Sequence, residues 1–175
     1  RPVEISITRR NLSPLSRFAE RGCMVHSDNK KAVKEAEVVI LAVKPYNIAD
    51  IIKEIKPLLN PKKHVVVSVI TGVWLEQLQK AIGKPVPVIR AMPNTAIAIQ
   101  QSMTCLSHAG TTKAQLDYIT ELFSQLGKTV LIDEKLMDAA TVLGACGTAY
   151  AMRYIRANIQ GGIEIGFDAA TASLI

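Results

Sequence analysis

Three stretches of the sequence place polar or backbone-exposing residues directly behind apolar, β-branched runs. "ILAVKPYNI" puts Lys44 and Pro45 after such a run, "VVVSVITGV" does the same with Thr71 and Gly72, and "VIRAMPNTA" with Met92, Pro93, Asn94 and Thr95. Ligands of open α/β sheets bind outside the carboxyl ends of the strands, so three such ends in succession outline one cleft. A fourth run, "VEISITRRN", begins at Val3 and closes on Arg9 and Arg10. Paired guanidinium groups suit an anion, above all a phosphate dianion. Metal and disulfide chemistry have little support. Cys23, Cys105 and Cys146 are far apart and form no C-x-x-C pair, and His26, His64 and His108 are equally scattered. That cysteine usage favours a reduced, cytoplasmic setting.

The elements that must position these residues follow from the pattern. Apolar β-branched runs over residues 3–8, 23–26, 38–43, 64–69 and 86–92 read as strands, the later ones continuously apolar as in a parallel sheet covered on both faces. Between them lie helical patterns. One starts at the Ser13-Pro14 pair and stops at Gly22; others cover residues 29–36, 47–59 and 73–82. The helix over 47–59 carries Ile48, Ile51, Ile52, Ile55 and Leu59 on one stripe. A strand over 102–109, a helix over 112–126 ending at Gly127 and a strand over 128–133 follow. Alternation of this kind predicts an α/β fold with a doubly wound parallel sheet. From Glu134 the chain is rich in Ala, Gly and Thr with no strand pattern, which predicts an all-helical segment or assembly surface. The expected division is therefore 1–132 and 133–175.

Composition narrows the partners. Hydrophobic residues make up 49% of the 175 residues and charged residues 21%, enough for a packed core. The net charge of +6 is spread along a chain with only 5% aromatic residues, which argues against nucleic acid and for a small anionic ligand. No apolar run reaches the roughly 20 residues that span a bilayer, and no signal-peptide pattern is present.

The stretches A-V-K-P (42–45), V-S-x-x-x-G-V (67–73), R-x-M-P-N-T (90–95) and "DAATVLGACGTAY" (138–150) occur in this order. Together they resemble the pyrroline-5-carboxylate reductase family along the whole chain. The resemblance implies a Rossmann-type domain followed by a helical domain that builds a homodimer or larger homo-oligomer. It also implies NAD(P)H-dependent reduction of the C=N bond of 1-pyrroline-5-carboxylate to proline, the last step of proline biosynthesis. No G-x-G-x-x-G follows a strand here. The resemblance places that loop in a first βα unit before Arg1, and further helices after Ile175. On that reading the chain as given would be inactive, and no catalytic acid is assigned.

By the same resemblance, Asn29, Ala42, Val43, Lys44, Pro45, Val69, Ile70 and Thr71 are cofactor-binding candidates, and Asn94, Glu134 and Thr141 substrate-binding ones. Arg9 and Arg10 would then end the second strand of a dinucleotide-binding sheet. An acidic residue there favours NAD, whereas arginine accommodates a 2′-phosphate, so NADPH is the expected cofactor, with NADH possible. Each candidate also has a plain structural role open to it. Lys44-Pro45 can be a strand-to-helix turn, Asn94 a cap, and Glu134 a first-turn acid. Thr141 and Thr148 can back-bond within close-packed helices. The family's Ser-Gly-Ser-Gly-Pro reads Gly144-Ala145-Cys146-Gly147-Thr148 here, which bears on substrate contacts more than on the fold. Two alternatives stay open: another small-acid reductase on this scaffold, and a divergent cofactor-binding homologue without turnover.

Overall fold

The computed structural model describes residues 4–175. Strands β1 (Ser6–Thr8) and β2 (Met24–His26) form a parallel pair, and Val3, where the first strand was expected to begin, lies outside the described residues. Five strands make the second sheet: β3 (Val38–Leu41), β4 (Val65–Ser68), β5 (Val88–Met92), β6 (Ser102–Ala109) and β7 (Gly127–Leu131), side by side in that order.

Strands β3, β4 and β5 run parallel, and the register aligns Leu41 with Ser68 and Ser68 with Arg90. The carboxyl ends of β3 and β4 are thus level, while β5 reaches two residues further. The sheet departs from an all-parallel plan at β6, which is antiparallel to β5. The reason is the short connection. Residues 93–101 hold only a 3-10 turn (Thr95–Ile99) and a left-handed Gln100, and a parallel neighbour needs a crossover of a dozen residues or more. β6 and β7, joined by a helix, are parallel to each other.

Helices cover both faces. On one, α2 (Asn29–Glu35), α3 (Ile48–Ile55) and α4 (Leu75–Ile82) bury Val33, Ile52, Ile55, Leu75, Leu78 and Ile82 against Val39, Leu41, Val66 and Val88. On the other, α5 (Lys113–Ser124) sets Ile119 and Phe123 against Val65, Val67, Ile89, Ala91 and Leu106. The doubly wound plan holds, with strands and helices shorter than the sequence pattern. α3 is preceded by a 3-10 turn at Pro45–Asn47 and ends at Ile55, ahead of Pro57, a residue that cannot extend the ladder. The first helix is also short: a 3-10 turn (Ser13–Leu15) leads into α1 (Ser16–Ala19). Ser13 was expected as its cap, but it is Asn11 that accepts a hydrogen bond from the Ser13 backbone N–H, at 3.0 Å.

Gly127 opens β7 rather than only closing α5. Its φ is +138°, and a Cβ there would stand 2.1 Å from the Ser102 carbonyl oxygen. Past Glu134 the chain is helical: a 3-10 turn (Glu134–Leu136), α6 (Met137–Ala140), a π-helical segment (Thr141–Cys146), α7 (Gly147–Glu164) and α8 (Ala169–Leu174). Met137 is fully buried with Met92 and Cys105, which plugs this segment onto the sheet. α7 buries none of its side chains; Tyr150, Met152 and Tyr154 are each at least 60% exposed.

Candidate active site

The sheet's carboxyl edge brings the predicted strand-end residues together. After β3, Ala42, Lys44 and Pro45 are exposed and Val43 is partly buried in the core. After β4, Val69 donates its N–H to the Leu41 carbonyl at 3.1 Å, which ties the two tips together. Thr71 is exposed, and its hydroxyl points to the Met92 sulfur at 3.8 Å, linking the tips of β4 and β5. Ile70 is 3% exposed in the apolar core, so it presents only backbone to a ligand.

Arg9 and Arg10 follow β1 directly, both exposed, with the Arg9 N–H bonded to the His26 carbonyl at 3.1 Å. Among the described residues neither arginine takes part in a salt bridge. Asn29 begins α2, where Asp28 caps the helix, and its side-chain amide donates to Glu54 on α3 at 3.0 Å. That bond fixes Asn29 against the helix that follows the Lys44-Pro45 turn.

The most constrained polar group at the edge is one for which the sequence suggested no role. Arg90, in the middle of β5, is 1% exposed. Its Nη1 donates to Glu134 Oε1 at 2.8 Å, its guanidinium carbon lies 5.7 Å from the centre of the Trp74 ring, and its buried Nε and Nη2 have no partner among the described residues. Glu134 Oε1 also accepts the Leu75 backbone N–H at 2.6 Å, one of the free donors at the start of α4. Glu134 therefore joins β5, the α4 N-terminus and the entry to the helical segment. The signal in the sequence was an arginine inside an otherwise apolar strand, "VIRAM"; a charge so placed needs a partner. Beside it, a groove of about 630 Å³ is lined by Leu75, Ser107, Leu131 and Glu134 among others.

Asn94 accepts the Ala96 N–H on its Oδ1 (3.1 Å) and donates from Nδ2 to the Gly144 carbonyl in the π segment (3.3 Å). Thr141 and Thr148 back-bond to the carbonyls of Met137 (2.8 Å) and Gly144 (3.3 Å). Asn94 is thus tied to the helical segment to which Glu134 and Thr141 belong. Among the described residues no group of three or more His, Cys, Asp or Glu could hold a metal ion. No described helix is long and apolar enough to cross a membrane.

Residues 2–72 match the family model described as "NADP oxidoreductase coenzyme F420-dependent", and residues 134–175 the one described as "Pyrroline-5-carboxylate reductase dimerisation". The chain belongs to the pyrroline-5-carboxylate reductase family. It is 38% identical to pyrroline-5-carboxylate reductase 1 of Dictyostelium discoideum, over 97% of this chain and 33% of that protein. It is 33% identical to reductase 2 of the same organism, over 97% of this chain and 62% of that one. The chain thus spans less than two thirds of the length of these relatives. The solved pyrroline-5-carboxylate reductase of Coxiella burnetii superposes with a TM-score of 0.91 at 29% identity, covering 97% of this chain and 64% of that one. The Rossmann-type α/β fold followed by helices is that of the family.

Proposed function

We propose that this chain forms the cofactor-binding half and the start of the substrate side of a pyrroline-5-carboxylate reductase. On this reading it takes part in the NAD(P)H-dependent reduction of 1-pyrroline-5-carboxylate to proline. The observation that carries the reading is that the exposed residues after β3 and β4 share one sheet edge with the tip of β5, where Asn94 is bonded to the π segment. A ligand lying along those tips would meet the helical segment at its far end. Residues 1–132 form the dinucleotide domain and 133–175 the beginning of the helical one.

The residues present fit a dinucleotide. The backbone after β3 and β4 is open at Ala42, Lys44, Pro45 and Thr71, while Val43, Val69 and Ile70 keep their side chains wholly or partly turned into the protein. Main-chain groups there can approach a ribose or nicotinamide closely, and Lys44 adds positive charge. Asn29, held by Glu54, offers its amide oxygen at the start of α2. Arg9 and Arg10, exposed at the end of β1 and without a described salt bridge, can take a 2′-phosphate, which favours NADPH over NADH. When bound, the reduced nicotinamide supplies the hydride. The chain's own part is orientation. The strand tips would hold the ring, and Asn94, Glu134 and Thr141 would shape the substrate side next to it, with the alignment itself lowering the barrier.

A homo-oligomer through the helical segment and a cytoplasmic location complete the proposal. The exposed apolar side chains of α7, among them Tyr150, Met152, Tyr154 and Ile155, are a surface that a second copy would cover. The deciding test is a full-length assay of NADPH and NADH oxidation with pyrroline-5-carboxylate, together with light scattering. Turnover by an oligomer is the expected result. A folded protein without turnover on either cofactor would favour a cofactor-binding homologue that does not catalyse, and a stable full-length monomer would remove the role given to α7.

A further inference from the structure

We infer that Asn94 is a positioning residue: it holds the π-helical segment Thr141–Cys146 against the tip of β5 by clamping the Gly144 carbonyl. A π turn widens the helix and weakens its ladder, so such segments are rare and need outside support. Gly144 adds to the need, because glycine inside a helix is less favourable than alanine. No close contact requires glycine there, since a Cβ on Gly144 would meet nothing within 4 Å. The support comes from two donors that converge on one carbonyl oxygen. Asn94 Nδ2 and Thr148 Oγ1 each lie 3.3 Å from it. Thr148 belongs to the same helix and can only brace it internally. Asn94 belongs to the sheet.

The clamp is preorganised. The Asn94 backbone N–H donates to Ser102 Oγ at 3.2 Å, and that hydroxyl is itself 3.2 Å from Thr104 Oγ1, so β6 fixes the residue from behind. Oδ1 is occupied by the Ala96 N–H at 3.1 Å, where Asn94 caps the 3-10 turn. These bonds set the orientation of the amide and leave Nδ2 as the group that reaches across to residue 144. Asn94 thus acts on the substrate side through Gly144, by fixing where the π segment stands relative to the strand tips. This rests on the function proposed above for its kinetic consequence, but not for its structural one.

Asn94→Asp separates the two roles of the side chain. Aspartate keeps the acceptor for Ala96 N–H but presents an oxygen, not a donor, to the Gly144 carbonyl; Asn94→Ala removes both. Hydrogen–deuterium exchange on the whole chain reads the clamp directly. In Asn94→Asp, amides of residues 141–148 should exchange about three- to tenfold faster, the range of one net hydrogen bond, while those of 95–101 stay as in the parent. In Asn94→Ala both should accelerate. In the full-length enzyme, Asn94→Asp should raise KM for pyrroline-5-carboxylate with the dissociation constant for NADPH unchanged. Unchanged exchange at 141–148 in Asn94→Asp would overturn the inference, as would acceleration spread evenly over the chain. Faster exchange there in a protein that shows no turnover even as the parent would leave the clamp standing and remove the reductase reading alone.

Discussion

Removal of either partner of the Arg90–Glu134 pair should be among the most damaging single changes available in this fold. Arg90 is a full positive charge with its side chain 2% exposed, and Glu134 Oε1 at 2.8 Å is its one described hydrogen-bond acceptor. In Glu134→Gln the acceptor for Leu75 N–H survives, but Arg90 is left buried without a counter-charge. Breaking a buried pair from one side costs about 3–5 kcal/mol, and the amide that replaces the carboxylate carries no charge to offset the guanidinium. Arg90→Met strands the carboxylate instead. Glu134 is 19% exposed and keeps the Leu75 bond, so part of its charge is solvated and the loss should be nearer 3 kcal/mol. In the double variant no charge is stranded, and methionine fills most of the arginine's volume. Replacing a buried pair outright is often close to neutral. The double variant should therefore recover most of what either single change loses, so that the coupling approaches the sum of the two single losses. Urea midpoints at constant m read this directly; each kcal/mol corresponds to roughly 2–4 °C in Tm at this chain length. Additive losses, or a loss below about 1 kcal/mol in Glu134→Gln, would refute the argument that the junction between sheet and helices is held electrostatically.

Three further changes probe other parts of the structure. His64 is buried and neutral, with Nδ1 accepting the Asn60 N–H at 2.8 Å and Nε2 placed 3.1 Å from the Val33 carbonyl, and burial holds its pKa below 6.5. The unfolded chain binds the proton first as pH falls below about 6.5, so stability should be full above that value. It should then fall by up to about 1.4 kcal/mol per pH unit until the folded histidine also titrates. An identical pH dependence in His64→Gln would show that His64 is not the source. Gly127→Ala combines a φ of +138° with a contact of 2.1 Å to the Ser102 carbonyl oxygen. It should cost about 3 kcal/mol or more by strain and overpacking, and a urea midpoint within 1 kcal/mol of the parent would contradict that. Arg9→Ala with Arg10→Ala should weaken NADPH binding at least about tenfold through lost charge-assisted bonds, with NADH little changed; equal losses for both cofactors in titration calorimetry would remove the 2′-phosphate assignment.

What could be read from the sequence and what could not divide along a physical line. The strand tips were legible because topology alone places them. Once Val38–Leu41, Val65–Ser68 and Val88–Met92 are parallel neighbours, the residues that follow each must share an edge, whatever their side chains do. The reversal at β6 was also within reach, since residues 93–101 are too few for a crossover helix. The bonds that hold the edge were not legible. Arg90 meets Glu134 across 44 residues of sequence and Asn94 meets Gly144 across 50, separations that leave no periodic or motif signal. Even the assignments made by type changed meaning on folding. Thr71 and Asn94 were both strand-end polar residues, yet the first remains exposed at the cleft and the second has its side-chain oxygen and one amide donor engaged within the protein. Residue type at a strand tip thus identifies which groups can meet a ligand. Only the long-range partners decide which of them are free to do so, and which instead hold the helices where the ligand needs them.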